Sequence, residues 1–258
     1  MIPTSGKTNK IISSFFSGTS GVTVPLANKQ LYPEEFQSKS RLSYYGSLFN
    51  SIEINSSFYK IPMASTIRKW SESVPEDFRF TFKLWRDITH TKELVFKNED
   101  IHHFIQNIAE VGSKKGCLLI QFPPSLTINY TSQLFNLLDR IIQADPERSW
   151  QIALEFRNSS WYTEETIRLL NDFQAGMVLH DKLSEANTHE PISETFVYVR
   201  FHGPGGNYKG SYEDDFLNEY SQYVREWLGE GKDVYVYFNN TRGDAVQNLM
   251  TLNNLLRL

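Results

Sequence analysis

The sequence predicts an α/β protein of one domain, folded as a closed (β/α)8 TIM barrel. Three observations carry that expectation. Short β-rich runs alternate strictly with apolar residues at helical spacing, the count reaches eight strands and seven helices, and 258 residues suit eight such units. Alternation implies parallel strands joined by crossover helices. An open doubly wound sheet is the rival. It would carry a glycine-rich dinucleotide fingerprint after its first strand, and Gly18-Thr19-Ser20-Gly21 lacks the spacing.

Taken in order, residues 1–10 are expected to be a flexible polar tail, leaving 11–258 as the barrel domain. The first strand, near 12–18, is the weakest. The second spans 51–58, and Ile67, Trp70 and Val74 then mark a helix ended by Pro75. A third strand over 78–85 precedes the helical stripe Ile101, Phe104, Ile105, Ile108 and Ala109. The fourth, 116–122, precedes Leu134, Leu137, Leu138, Ile141 and Ile142. The fifth covers 150–156 and the sixth 176–180. After the sixth, residues 181–194 carry Pro191 and polar side chains where a helix is due, so a long loop is expected to replace it. A seventh strand over 195–202 leads to Phe216, Tyr220, Val224 and Trp227, stopped near Gly229. The eighth, 234–239, leads to a last helix marked by Ala245, Leu249, Leu252 and Leu256.

Composition narrows the function classes. With 26 Lys+Arg against 30 Asp+Glu, a formal charge of −4 argues against a basic coat for duplex DNA or anionic lipid. The single cysteine, Cys117, excludes an internal disulfide and any multi-cysteine metal site. It is placed near the start of the fourth strand, away from the mouth. Lys7 and Lys10 precede an apolar stretch, 11–16, that Ser13 and Ser14 interrupt, too short and polar for a signal-peptide core. No eighteen apolar residues run together, so a cytoplasmic protein without a membrane partner is expected.

In such a barrel the active site lies at the C-terminal ends of the strands, and side chains there alternate between interior and helix layer. Here seven strand ends turn polar on one parity: Glu53, Asn55 and Ser57; Lys83; Gln121; Glu155 and Arg157; His180; Arg200 and His202; Asn239. The competing reading is a purely structural charge network, Glu53 with Arg157 for instance. The coincidence across seven strands favours a ligand-binding mouth.

These residues also lie in stretches that resemble a known family. They are Ser51-Ile-Glu-Ile-Asn-Ser-Ser-Phe-Tyr59, Phe80-Thr-Phe-Lys83 with Thr89-His90, and Gln121-Phe-Pro-Pro124. Further on come Glu155-Phe-Arg157 with Ser160-Trp161, Tyr198-Val-Arg-Phe-His-Gly203 and Tyr237-Phe-Asn-Asn240. Six ordered blocks, from about Gly18 to the final helix, resemble the YecE-like proteins (domain of unknown function 72). The resemblance implies a TIM barrel and supplies no activity. Two segments depart from the family pattern. Val22-Thr-Val-Pro25 stands where a Trp-containing stretch is usual, and the sixth strand ends His180-Asp181 where an Asp is usual.

The leading expectation is hydrolase- or lyase-type acid–base chemistry on a polar, anionic and phosphorylated ligand. Candidate catalytic groups are Glu53, Glu155, Lys83 and His202. Trp161 and Tyr59, just past strand ends, would stack on a flat ligand. For an anion, Arg200 and the loop Gly203-Pro204-Gly205-Gly206-Asn207-Tyr208 would supply a guanidinium and close backbone approach. Lys83 and Arg157 would add to a net cationic mouth. Asn55, His90, Gln121, His180 and Asn239 complete the candidate binding set. Lys83 is expected to be an ion-pair partner rather than a Schiff-base lysine.

No cofactor is expected. A divalent metal on His90, His180, His202, Asp181 and the glutamates is the less favoured alternative, since no local ligand spacing supports it. A binding barrel for a small anion or nucleic-acid segment, or a metal-dependent phosphoesterase- or nuclease-like barrel, completes the range. The aromatic fraction, 14%, divides in two. Phe104, Phe135, Phe173, Phe216, Tyr220 and Trp227 belong to helix stripes, and Phe58, Tyr59, Trp85, Trp161, Tyr208 and Phe238 to strand ends lining the site.

Overall fold

The computed structural model describes residues 13–182, 191 and 193–256. The expected tail over 1–10, and most of the expected loop over 181–194, lie outside the described residues. Among the described residues nine strands are formed: β1 Phe15–Thr19, β2 Ser51–Ile54, β3 Arg79–Lys83, β4 Lys115–Gln121, β5 Gln151–Glu155, β6 Gly176–Met177, β7 Leu179–His180, β8 Phe196–Phe201 and β9 Asp233–Phe238. Every strand pair is parallel. The strands make a four-stranded sheet, β1-β9-β8-β7, and a five-stranded sheet, β2-β3-β4-β5-β6.

The regular ladder is therefore two parallel sheets, not one unbroken ring. At one seam, the expected sixth strand divides at Val178, whose N–H donates to the Leu154 carbonyl at 2.8 Å. At the other, Ser20 forms an isolated parallel bridge with Glu53, and the Gly21 N–H donates to the Glu53 carbonyl at 2.8 Å. Short β2 leaves little edge for a longer ladder.

Among the described residues, seven helices have eight or more residues: Arg41–Leu48, Ala64–Glu72, Asn98–Ile108, Thr131–Ala144, Glu164–Asp172, Asp214–Gly229 and Ala245–Leu256. Local chemistry starts two of them. Ser40 Oγ accepts from the Ser43 N–H at 3.0 Å, and Thr163 Oγ1 accepts from the Thr166 N–H at 3.3 Å ahead of Glu164 and Glu165. No helix of the described residues is long and apolar enough to cross a membrane.

Two apolar clusters follow from strand parity. The larger joins the outward strand residues to the helices. The smaller holds inward residues from both sheets, among them Phe16, Cys117, Leu119, Phe196, Tyr198, Tyr235 and Tyr237. Tyr237 of β9 bridges the sheets, its hydroxyl bonded to Ser51 Oγ at 2.6 Å and Thr81 Oγ1 at 2.8 Å. Cys117 is the third residue of β4 and fully buried in this cluster.

The second strand is shorter than expected. It ends at Ile54, because Asn55 takes a right-handed helical conformation and Ser56–Tyr59 forms a helical turn. Ser57 Oγ donates within 2.7 Å of both the Ile54 and Lys83 carbonyls, and so caps two strand ends instead of continuing one.

Candidate functional site

Directly above the inner tyrosines sits a layer of charge. Arg200, inward on β8, donates from Nε to Glu53 Oε2 at 2.8 Å and from NH2 to Glu53 Oε1 at 2.7 Å. Its NH1 reaches Glu155 Oε2 on β5. Ser20 Oγ and Tyr198 OH each add a bond to Glu53 at 2.6 Å. Burial pushes the Glu53 carboxyl up, but Arg200, Ser20 and Tyr198 outweigh it and hold it below its ordinary value. Glu155 is likewise opposed by burial yet held well below the usual range by Arg200 and Arg157. With four donors on its two oxygens, Glu53 is a saturated carboxylate. Its partner is Arg200, not Arg157.

Beside this layer, His202 follows β8 directly. Its Nδ1 lies 2.9 Å from Asp181 Oδ1, and its backbone N–H donates to both Asp181 oxygens at 3.0 and 2.9 Å. A carboxylate only accepts, so Nδ1 carries the proton and Nε2 is an acceptor. Nε2 faces Arg157 NH2 at 2.9 Å and Arg200 NH1 at 3.3 Å. Burial lowers the His202 pKa to about 4, despite Asp181. Tyr212 completes the arrangement. Its hydroxyl donates to Asp181 Oδ2 and accepts from the Gly203 N–H at 2.6 Å. Asp181 was expected only as a metal ligand, and Tyr212 carried no sequence signal at all.

Toward solvent the layer ends in partly buried side chains. Arg157 pairs with Glu155 and is 11% exposed, whereas Arg200 is 1% exposed. Arg157, not Arg200, is thus the guanidinium within reach of a ligand. Lys83 Nζ, at the end of β3, donates to Gln121 Oε1 at 2.8 Å and lies 4.1 Å from the Phe58 ring centroid. Burial, with Arg200 adding its positive charge, lowers the Lys83 pKa to about 8. His90 packs edge-on to Phe58 at 4.9 Å with Nδ1 against Thr89 Oγ1, and burial with Lys83 brings its pKa to about 4. Asn55, one residue past β2, keeps a buried Oδ1 without a hydrogen-bond partner among the described residues.

Other candidates are placed differently. His180 is buried, its Nε2 bonded to the Phe156 carbonyl at 3.1 Å and its Nδ1 accepting from the Lys182 N–H at 3.2 Å. Trp161 is fully buried, stacked on Phe156 at 4.7 Å with Nε1 donating to the Leu126 carbonyl at 2.7 Å. It is a core residue rather than a stacking platform, as is Phe238, packed on Phe201 at 4.9 Å. Tyr59 is 69% exposed and touches Phe58 from outside. Tyr208 stands 5.8 Å from His202 under Lys182, whose Nζ lies 4.2 Å from its ring centroid. Asn239 anchors its N–H on the Phe201 carbonyl at 2.7 Å.

The glycine loop serves itself. A Cβ on Gly203, at φ +93, would meet the Lys209 carbonyl oxygen at 2.2 Å, while Gly205 has ordinary φ and only the Asn207 side chain nearby. The N–H groups of Gly206 and Tyr208 donate to the Gly203 and His202 carbonyls. Charge is also more even than expected. Glu53, Glu155 and Asp181 balance Lys83, Arg157 and Arg200, and the lowered His90 and His202 are neutral at pH 7. Among the described residues, no group of three or more His, Cys, Asp or Glu is arranged to hold a metal ion.

Comparison with known proteins supports the fold and gives a family. A Bacillus subtilis protein, "UPF0759 protein YunF", is 28% identical over 84% of this chain and 87% of its own length. The Escherichia coli K12 "UPF0759 protein YecE" is 26% identical over 39% of this chain and 37% of its own. A crystal structure of a DUF72 family protein from Enterococcus faecalis V583 superposes with a TM-score of 0.79 at 22% identity, covering 95% of this chain and 96% of that one. Another, from Thermotoga maritima MSB8, gives 0.74 at 24% identity, covering 95% and 100%. The model of the family described as "Protein of unknown function DUF72" matches residues 16–258, and the chain therefore belongs to the DUF72 family.

Proposed function

We propose that the two parallel sheets make up one (β/α)8 barrel, whose C-terminal end binds a small polar ligand bearing an anionic group. We assign it acid–base chemistry of the lyase or hydrolase type. The bridge from Ser20 to Glu53, the hand-over at Val178 and the shared inner cluster support the barrel reading. In this reading Glu53, Arg200 and Glu155 are the rigid floor, not the reacting groups.

The observation that carries the functional reading is Lys83. Unlike Arg157 and Arg200, it has no carboxylate at ion-pair distance among the described residues, because those two guanidiniums occupy Glu53 and Glu155. Its pKa of about 8 poises it to exchange a proton near neutral pH. Arg157 supplies the accessible charge for an anionic group, and the unpartnered Asn55 Oδ1 supplies an acceptor for a ligand hydroxyl or amine. Asp181 holds His202 in the tautomer that keeps Arg157 in place. A reducing, cytoplasmic setting suits the free thiol of Cys117.

Thermal melts in inorganic phosphate test the anion site. Phosphate is expected to raise the wild-type melting temperature, and to do so less for Arg157→Ala. Equal shifts in the two proteins would remove Arg157 from ligand binding.

A further inference from the structure

We propose that Lys83 is a nucleophilic amine that condenses with the carbonyl carbon of a small aldehyde or ketone to form an imine. The proposal rests on the reading of this end of the sheets as a ligand site, and adds the substrate class. An amine attacks a carbonyl only as free base, so the first requirement is a lysine that a carboxylate does not hold protonated. Lys83 meets it through geometry. Among the described residues its Nζ donates to the neutral Gln121 amide at 2.8 Å and lies over the face of Phe58. A ring face favours an ammonium, but by less than a carboxylate at contact distance does. Both buried glutamates are bound by guanidiniums, and although their charges still favour the ammonium, burial and the positive charge of Arg200 outweigh them, with Arg157 adding to Arg200. Placing an amine in a partly dry site beside other cations is a general way to make it nucleophilic.

Position satisfies the second requirement. Lys83 ends β3 on the inward parity with its side chain only partly buried, and Ser57 Oγ pins its carbonyl. Gln121 fixes the amine from β4, so the nucleophile is held between two strand ends. The step balances without an external oxidant or reductant. The Nζ lone pair forms a C–N bond as the C=O bond opens, and one amine proton passes to that oxygen. The carbinolamine then loses the oxygen as water, which takes the second amine proton, and C=N is formed. His90, neutral, packs edge-on to the same Phe58 ring with its Nδ1 against Thr89 Oγ1.

The test uses the full-length protein with pyruvate or glyceraldehyde as probe and cyanoborohydride to trap the imine as a secondary amine, followed by intact mass and peptide mapping. At neutral pH a lysine with this pKa is free base on the order of a hundredfold more often than an ordinary one. Lys83 is therefore expected to be labelled about tenfold faster than exposed lysines such as Lys92, after allowance for its lower basicity. Its labelling rate should level off above about pH 8. Labelling spread evenly over surface lysines, or none at Lys83, would overturn the proposal. The readout is on wild type, so it does not depend on a variant folding. If phosphate still stabilises wild type more than Arg157→Ala while Lys83 stays unlabelled, the ligand site stands and the imine alone falls.

Discussion

Arg200 closes Nε and NH2 on the two carboxylate oxygens of Glu53, at 2.8 and 2.7 Å, with neither side chain more than 1% exposed. A fork-to-fork pair in that setting is a fixed part of the scaffold. Its geometry lets Arg200 extend NH1 to Glu155 and so tie β2, β8 and β5 together.

Glu53→Gln is therefore expected to act on stability. Removing one charge of a buried pair leaves the other uncompensated, at a cost of about 3–5 kcal/mol. Urea denaturation should show a lower midpoint with an unchanged slope. Replacing both partners, Glu53→Gln with Arg200→Met, should cost less than the sum of the single changes. A midpoint equal to wild type for Glu53→Gln would mean that the pair is not formed in solution.

Two glycines of one loop should behave differently. Gly203→Ala combines left-handed backbone with a Cβ 2.2 Å from the Lys209 carbonyl oxygen, so loss of more than about 1 kcal/mol is expected. Gly205→Ala meets nothing nearer than the Asn207 side chain at 3.5 Å and should be neutral within about 0.5 kcal/mol. Matching melting curves for the two variants would show that the loop does not pack on itself this way.

Trp161 and Tyr59 offer a second contrast. Trp161→Ala empties a fully buried site and should cost about 3–5 kcal/mol. Tyr59→Ala, at 69% exposure, should change stability by less than about 0.5 kcal/mol. If Trp161→Ala instead left the melting temperature intact, its stacking on Phe156 would be incidental.

These contrasts mark where the sequence was legible. Alternating periodicity placed the strand ends well, because inward parity is a property of each strand alone and needs no partner. Glu53, Lys83, Glu155, Arg200 and His202 came together for that reason. The end of β2 was not legible, since Asn55 and Ser57 continue the alternation and only Ser57 bonding to two carbonyls turns the chain. Trp161 was misplaced because its partners, Phe156 and the Leu126 carbonyl, depend on how a neighbouring loop packs. Tyr212 lay beyond reach: its link to Asp181 joins segments 31 residues apart with no periodicity between them. The inner tyrosines were also missed, because an aromatic inside the sheets has the same spacing as one facing a helix.

Acid should destabilise the protein in two stages. His202 and His90 have folded pKa values of about 4 against an ordinary 6.5, so the unfolded chain binds more protons between those values. Their stabilisation is present above pH 6.5 and is lost as pH falls toward 4. Glu53, Glu155 and Asp181 are depressed below their ordinary values, so a second loss begins as pH falls below about 4. His202→Asn should flatten the first stage in urea titrations at successive pH values. An unchanged slope between pH 6.5 and 4 in that variant would show that His202 is not buried neutral.

The alkaline side tests Lys83. Its folded pKa of about 8 lies below the ordinary 10.5, so between them the unfolded chain holds a proton that the folded chain has released. The Lys83 contribution to stability then rises with pH in that window, by the linkage of proton uptake to unfolding. Buried Cys117, raised by burial well above its ordinary 9.0, opposes this from about pH 9, and Tyr198, Tyr235 and Tyr237 oppose it from about their ordinary 10.0, since in each case the unfolded chain ionises first. From about pH 8 to 10 the Lys83 contribution should be on the order of 2 kcal/mol, read as the difference between the profiles of wild type and a variant without the amine, in which the Cys117 and tyrosine contributions cancel. Lys83→Met, which removes the amine and keeps an apolar stem against Phe58, should abolish that contribution while remaining folded. Lys83→Arg should abolish it too, since a guanidinium does not titrate there, and should cost stability at every pH by burying a permanent charge beside Arg200. Parallel profiles of wild type and Lys83→Met from pH 8 to 10 would mean that Lys83 finds a carboxylate in solution and remains an ordinary ammonium.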